Sequence, residues 1–91
     1  MTAIKIKSGI LSWSEDNVIN ASNDCGVFIL RTSPTTDSIK IIEASENLNK
    51  DLVVRIADSS LSDIKFFDWY SMDTFDEAIE LARSWNEKYI S

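Results

Sequence analysis

An uninterrupted apolar run, Gly26–Leu30, constrains this sequence more than any other feature, because it contains no polar side chain. A strand that faces solvent on one side alternates apolar and polar residues, whereas an apolar run of this length is typical of a strand covered on both faces. We therefore expect a strand over residues 25–31 at the centre of a sheet. The sequence has 91 residues, the ordinary size of one domain, so we expect a single domain over residues 1–91.

Two further strands are indicated by composition and by turn signals. The turn-forming segment Thr32–Asp37 separates the apolar run from Ser38–Ala44, which is rich in isoleucine. Two strands joined by such a short turn form an antiparallel hairpin. The aromatic segment Ile64–Ser71 predicts a third strand, with its rings packed under the helices.

Helices are expected near residues 47–58 and 74–89. Thr74 and Glu77 have the spacing of a capping box at the start of the second of these. Ser14 is placed to cap one or two earlier helical turns. In the first helix, the apolar residues recur at three- and four-residue spacing and predict one buried stripe: Leu48, Leu52, Val53 and Ile56.

Residues 1–24 are polar with sparse apolar positions, so we expect an N-terminal helical or irregular segment ahead of a core over residues 25–91. No apolar run approaches the roughly 18–20 residues that cross a bilayer. The first residues lack the apolar stretch of a signal peptide. These features lead us to expect a cytoplasmic protein without a membrane association.

The predicted fold class is therefore α+β, with a three-stranded antiparallel sheet, flanking helices and the order β-β-α-β-α after a short N-terminal helical turn. The strand over residues 25–31 is expected to lie between the other two strands. Eight side chains are expected to be largely buried: Val27, Ile29, Ile42, Leu52, Ile56, Phe67, Leu81 and Trp85.

The charge balance disfavours a nucleic-acid partner. Nine basic residues against fifteen acidic ones give a net charge of −6, whereas phosphate binding depends on clustered Lys and Arg. The arginines Arg31, Arg55 and Arg83 are scattered along the chain. We expect a protein partner or self-association instead.

The residue types present exclude several kinds of catalytic site. The sequence has no histidine and one cysteine, Cys25, so Ser-His-Asp and Cys-His chemistry and an internal disulfide are excluded. The acidic residues Asp73, Asp76, Glu77 and Glu80 lie where a helix begins, and carboxylates stabilise a helix dipole there. We expect no catalytic residue, no metal site and no cofactor.

A family resemblance is carried by three short stretches. Gly26-Val27-Phe28 opens the first strand, Ile41–Ala44 closes the second, and Asn47-Leu48 opens the helix that follows. Their order and spacing resemble the GIY-YIG nuclease superfamily over about residues 25–89. The resemblance implies the fold described above and, in an active member, metal-dependent cleavage of nucleic acid.

The positions that matter for catalysis depart from that family. Its members use two tyrosines to position or activate the attacking water, an arginine to stabilise developing charge and a glutamate to bind a divalent metal. The matched residues here are Phe28 and Ile41 for the tyrosines, Glu43 for the motif glycine, Asp51 for the arginine and Ala82 for the glutamate. Arg55 lies one helical turn beyond Asp51, so it is the alternative candidate for the family's arginine. The resemblance therefore implies a degenerate relative that is not an enzyme.

The sequence favours a non-catalytic GIY-YIG-like domain that acts as a protein-interaction module. Two alternatives stay open: a weak nucleic-acid-binding domain or residual nuclease, and a small-ligand regulatory module. On the first hypothesis, the remodelled cleft is the binding surface. Its expected lining is Arg31, Glu43, Ser45, Asn47, Asp51 and Arg55.

Overall fold

An antiparallel sheet with helices on both faces makes up residues 4–90, the part of the chain that the computed structural model describes. Its strands are β1 (Ile4–Lys7), β2 (Leu11–Ser12), β3 (Gly26–Arg31), β4 (Ile39–Ser45) and β5 (Phe66–Met72). Its helices are α1 (Glu15–Ile19), α2 (Leu48–Ile56) and α3 (Phe75–Tyr89). The α+β class with an antiparallel sheet is confirmed.

The apolar run forms the central strand, as predicted. β3 pairs with β4 on one side and with β5 on the other, in the order β1-β5-β3-β4. Every residue of β3 is buried. Because successive side chains of a strand point to opposite faces, this strand anchors two separate cores, one on each side of the sheet.

The prediction of three strands is wrong, because the sheet within residues 4–90 has five. β1 and β2 both pair antiparallel with β5, so the expected helical or irregular segment over residues 1–24 also contributes to the sheet. Buried backbone groups need hydrogen-bond partners, and this segment supplies them along the second side of β5. The first three residues of that segment lie outside the described residues.

The two cores are divided by strand alternation. On one face, α1 and α2 cover a cluster that includes Phe28, Leu30 and Phe67. On the other face, α3 covers a cluster that includes Val27 and Ile29. The sheet is therefore the middle layer of three, and it separates the side chains buried in one core from those buried in the other.

Most burial predictions are confirmed, and three are not. The buried residues are Val27, Ile29, Ile42, Leu52 and Phe67. Ile56, Leu81 and Trp85 are only half-buried, because no further layer covers the outer flanks of α2 and α3. The Trp85 ring packs edge-on against Tyr70 with 4.9 Å between ring centroids.

The predicted helix starts are confirmed by their caps. The Ser14 hydroxyl accepts a hydrogen bond from the Asn17 amide, and the Thr74 hydroxyl accepts one from the Glu77 amide at 3.2 Å. Asn47 caps α2 by accepting from the Lys50 amide at 3.1 Å. Within residues 4–90, no helix combines the length and the apolar character needed to span a membrane.

Candidate functional site

A cleft between β4 and α2 collects five of the six residues predicted to line the binding surface. Glu43 and Ser45 point from β4 toward α2, Asn47 caps that helix, and Asp51 and Arg55 lie one turn apart on its near flank. Two shallow cavities of about 490 Å³ each occupy this cleft, and Asp51 lines both. We call this surface the β4–α2 cleft.

Arg31 does not belong to the cleft, and its placement there is wrong. Strand alternation puts Arg31 on the α3 side of the sheet with Val27 and Ile29, whereas the β4–α2 cleft lies on the opposite side. The Arg31 side chain is 7% exposed and pairs with Asp68, which is 1% exposed. Arg31 is therefore inaccessible to a partner bound in the cleft.

Arg31, Asp68 and Tyr70 form a buried polar cluster that sequence reasoning missed. Arg31 donates to both carboxylate oxygens of Asp68, from Nε at 2.9 Å and from Nη2 at 3.1 Å. The Tyr70 hydroxyl donates to the same carboxylate. Burial, followed by this hydrogen bond, raises the pKa of Tyr70, and the hydrogen bond that Arg31 donates to Asp68 raises the pKa of Arg31. The cluster joins two strands and serves the fold.

The charged side chains of the β4–α2 cleft form hydrogen bonds within the cleft. Arg55 donates from Nη2 to both carboxylate oxygens of Glu43, and the Ser45 hydroxyl donates to Asp51. The Arg55 guanidinium also lies 6.0 Å above the centroid of the Phe28 ring, within the range of a cation–π contact. The charge of the Arg55 guanidinium is therefore neutralised by Glu43, and its position is held by Glu43 and Phe28.

Negative charge dominates the first cavity of the cleft. Its lining carries the carboxylates of Glu43, Asp51 and Asp58 against the single guanidinium of Arg55. A hydrogen bond from the Ser60 amide lowers the pKa of Asp58, which keeps this carboxylate ionised. A phosphate group entering this cavity meets repulsion, whereas a cationic group meets attraction.

The positions matched to the catalytic residues of the resembled family do not converge. Phe28 is fully buried beneath α2, and Ile41 packs against the same core. Ala82 lies on the inner side of α3, in the core on the other face of the sheet. A metal ligand and a water-activating group must meet at one phosphate, and these positions are separated by the sheet.

Gly26, the glycine that opens the matched motif, is required by local packing. A Cβ atom at this position would lie 1.9 Å from the carbonyl oxygen of Tyr70, far inside van der Waals contact. The close approach of β3 to β5 therefore explains this glycine without any reference to a ligand.

An exposed apolar surface on the outer side of α2 was missed. Val53 was placed in the buried stripe of the helix, yet it is 43% exposed, and Val54 is 65% exposed. Ile19 of α1 is 65% exposed and shares a groove of about 210 Å³ with Val53 and Ala57. Ala57 and Val54 also line the β4–α2 cleft. We call Ile19, Val53, Val54 and Ala57 the α2 strip.

A sequence signal for the α2 strip does exist. Leu52, Val53 and Val54 are consecutive, and residues spaced 100° apart around a helix cannot all face one core. Because Leu52 is fully buried, at least one of the two valines must point away from it.

The amide of Asn49 fixes α1 against α2. Its Nδ2 donates to the carbonyl oxygens of Val18 at 3.1 Å, Ile19 at 2.9 Å and Ala21 at 3.4 Å. These carbonyls lie at the end of α1 and just after it, where no further helical turn supplies donors. The Val18 carbonyl also accepts from the backbone amide of Ala21 at 3.1 Å. The Asn49 side chain thus joins the end of α1 to α2 and helps to hold the groove between them in shape.

No protein-family model, no curated protein and no solved structure matches this chain. Among residues 4–90, no group of three or more His, Cys, Asp or Glu side chains is placed to hold a metal ion. Any function must therefore be argued from the surfaces described above and their chemistry.

Proposed function

We propose that this chain is a non-catalytic protein-interaction domain whose binding surface is the α2 strip together with the adjoining β4–α2 cleft. The observation that carries the proposal is the exposure of Ile19, Val53 and Val54 on neighbouring turns of two helices. Both faces of the sheet are already covered by helices, so this apolar surface has no role in completing the core.

A bound partner would remove the exposed side chains of the α2 strip from water. Burying an exposed Val or Ile side chain completely contributes about 1.5–3 kcal/mol. Single exposed apolar residues are ordinary on a protein surface, whereas contiguous ones are typical of interaction sites. Ile19, Val53 and Ala57 line one groove, and Val54 is next to Val53 in α2, so the α2 strip forms such a contiguous surface.

The cleft chemistry supports a binding role over a catalytic one. Catalysis of phosphodiester cleavage needs a cation and a positive side chain where charge develops. In the β4–α2 cleft, Arg55 is neutralised by Glu43, and Asp51 holds the position matched to the family's arginine. The GIY-YIG relationship itself rests on the residues quoted for it, and the proposed interaction function does not depend on that relationship.

Site-specific photo-cross-linking tests the proposal. A benzophenone side chain replaces Val54 in one variant and Ile79 of α3, which is 45% exposed, in a control. We expect the Val54 variant to form covalent adducts with another polypeptide in extracts of the source cells, and the Ile79 control to form none. Equal adducts from both positions, or none from Val54, would contradict the proposal.

A further inference from the structure

We infer that the α2 strip receives a basic, amphipathic helix of a partner protein. The inference rests on the proposed interaction function and names the chemistry of the partner. Two features of the surface carry it: the shape of the groove between α1 and α2, and the carboxylates that border the strip.

The shape fits one helix. The groove of about 210 Å³ is lined mainly by apolar side chains of two neighbouring helices, including Val18, Ile19, Val53 and Ile56. A third helix packs on such a pair by inserting its ridge of apolar side chains between them. Since α2 has nine residues, it offers a contact length of about 13 Å, which matches between two and three turns of a partner helix.

The charge around the strip selects a basic helix. Glu15 lines the groove, and Asp16 lies one turn before Ile19 on α1. Glu43, Asp51 and Asp58 line the other side. Five carboxylates thus border the strip with only two cations, Lys50 and Arg55, so the net charge of this border is −3. Lys or Arg side chains flanking the apolar stripe of a partner would meet these carboxylates.

The same charges argue against a second copy of this chain as the occupant. Pairing two α2 strips face to face would bring one carboxylate border against another, in molecules whose net charge is −6 each. Like charges placed across an interface disfavour association. Charge complementarity therefore points to a partner of opposite sign.

The surface is built before a partner arrives. The Asn49 side chain donates to three carbonyls at the end of α1, and the backbone amide of Asn49 donates to the Ser22 carbonyl at 2.9 Å. These contacts fix the two helices that form the groove, which reduces the cost of ordering them when a partner binds.

The test uses synthetic peptides and fluorescence anisotropy. The probe is a labelled helical peptide of about 18 residues with Leu on one face and Lys on the other, and a second peptide replaces every Lys with Glu. We expect the Leu-Lys peptide to bind and the Leu-Glu peptide not to bind. Salt at about 300 mM rather than about 50 mM should weaken binding, because exposed charges are screened.

Matched variants identify the surface. Val53→Ser with Val54→Ser should weaken binding of the Leu-Lys peptide by about tenfold or more, as expected for central apolar contacts. Ile79→Ser, at a position of α3 about as exposed as Val53, should leave peptide binding unchanged. Glu15→Gln with Asp16→Asn should weaken binding about threefold or more through lost attraction, whereas Glu80→Gln should not. Melting curves confirm that each variant is folded.

Three outcomes would overturn the inference. They are unchanged peptide binding by Val53→Ser with Val54→Ser, equal binding of the Leu-Glu peptide, and a dimer in light scattering that Val54→Lys dissociates. In each case, specific adducts from the Val54 cross-linker would leave the interaction function standing and show that its partner is of another kind. Absence of those adducts would instead contradict the proposed function itself.

Discussion

Arg31 and Asp68 place two opposite charges inside the domain. Their side chains are 7% and 1% exposed, and Tyr70 adds a third hydrogen bond to the same carboxylate. Removing charges from water is unfavourable, and attraction between them offsets that penalty only when the geometry is good. The bidentate contact between Arg31 and Asp68 meets this condition.

Replacing one residue of this ion pair should destabilise the protein far more than replacing both residues with apolar ones. Arg31→Met leaves Asp68 buried without its cation, and we expect a loss of about 3–5 kcal/mol in the free energy of unfolding. Arg31→Met combined with Asp68→Leu should restore most of it. Urea unfolding measures both, and a double variant less stable than Arg31→Met alone would contradict this account.

The Tyr70 hydroxyl should make stability fall at alkaline pH. Its pKa is raised in the folded protein, whereas an unfolded tyrosine titrates at about pH 10. The contribution of Tyr70 to the free energy of unfolding is complete below about pH 10 and declines above it, because its hydroxyl loses its proton at lower pH in the unfolded chain than in the folded protein. Urea unfolding between about pH 8 and about pH 11 should show a steeper decline for the wild type than for Tyr70→Phe. Parallel declines would contradict it.

Gly26→Ala should be severely destabilising. The added methyl group would meet the Tyr70 carbonyl oxygen at 1.9 Å, and a backbone atom in a central strand pair cannot move aside, so we expect a loss of about 3 kcal/mol or more. Gly9→Ala is the matched control. No atom lies within 4 Å of its Cβ position, and its φ of 74° costs alanine only about 1–2 kcal/mol. Equal thermal shifts would contradict the packing argument.

The sequence predicted most of the helices and strands that build the core, because their residues have clear local preferences. Thr74 and Ser14 begin helices because their hydroxyls accept from free amides, and that preference is readable in sequence. β1 was missed because Lys5 and Lys7 flank Ile6, which is itself 49% exposed. Such an edge strand is fixed by its pairing with β5 rather than by its own apolar content.

The candidate site was predictable where its residues are neighbours along the chain. Ser45, Asn47 and Asp51 follow one another into α2, so they were expected together. Arg31 was misplaced because it immediately follows an apolar run, and the face it occupies depends on the register between strands. The contact of Asn49 with α1 joins distant segments, and nothing local in the sequence indicates it.

The tie between α1 and α2 can be tested through Asn49. Asn49→Asp keeps the shape of the side chain but removes its amide donor, so the Ile19 carbonyl loses this donor and the Val18 carbonyl keeps only backbone donors. We expect a loss of about 1–2 kcal/mol in stability and faster hydrogen exchange confined to α1. Asn23→Asp, at an exposed position before β3, is the control. Exchange in α1 that is unchanged by Asn49→Asp would contradict the assigned role.

For the molecule as a whole, charge and site geometry lead to a prediction about nucleic acids. The net charge is −6, and the residues matched to catalytic positions lie on both faces of the sheet. We expect no cleavage of plasmid, single-stranded or branched DNA with Mg²⁺ or Mn²⁺, and no salt-dependent shift of DNA or RNA in a gel. Metal-dependent cleavage by the wild type that Arg55→Ala abolishes would show that the domain is a nuclease.

The strand order β1-β5-β3-β4 has a consequence for synthesis on the ribosome. β3 and β4 are made before β5 and the covering helix α3, which come from the last third of the described chain. At about 5–20 residues per second, some seconds pass between the synthesis of β3 and the synthesis of β5, which pairs with it, and of α3, which covers its second face. The nascent chain therefore passes through a period in which Val27 and Ile29 are open to chaperones or to other nascent chains.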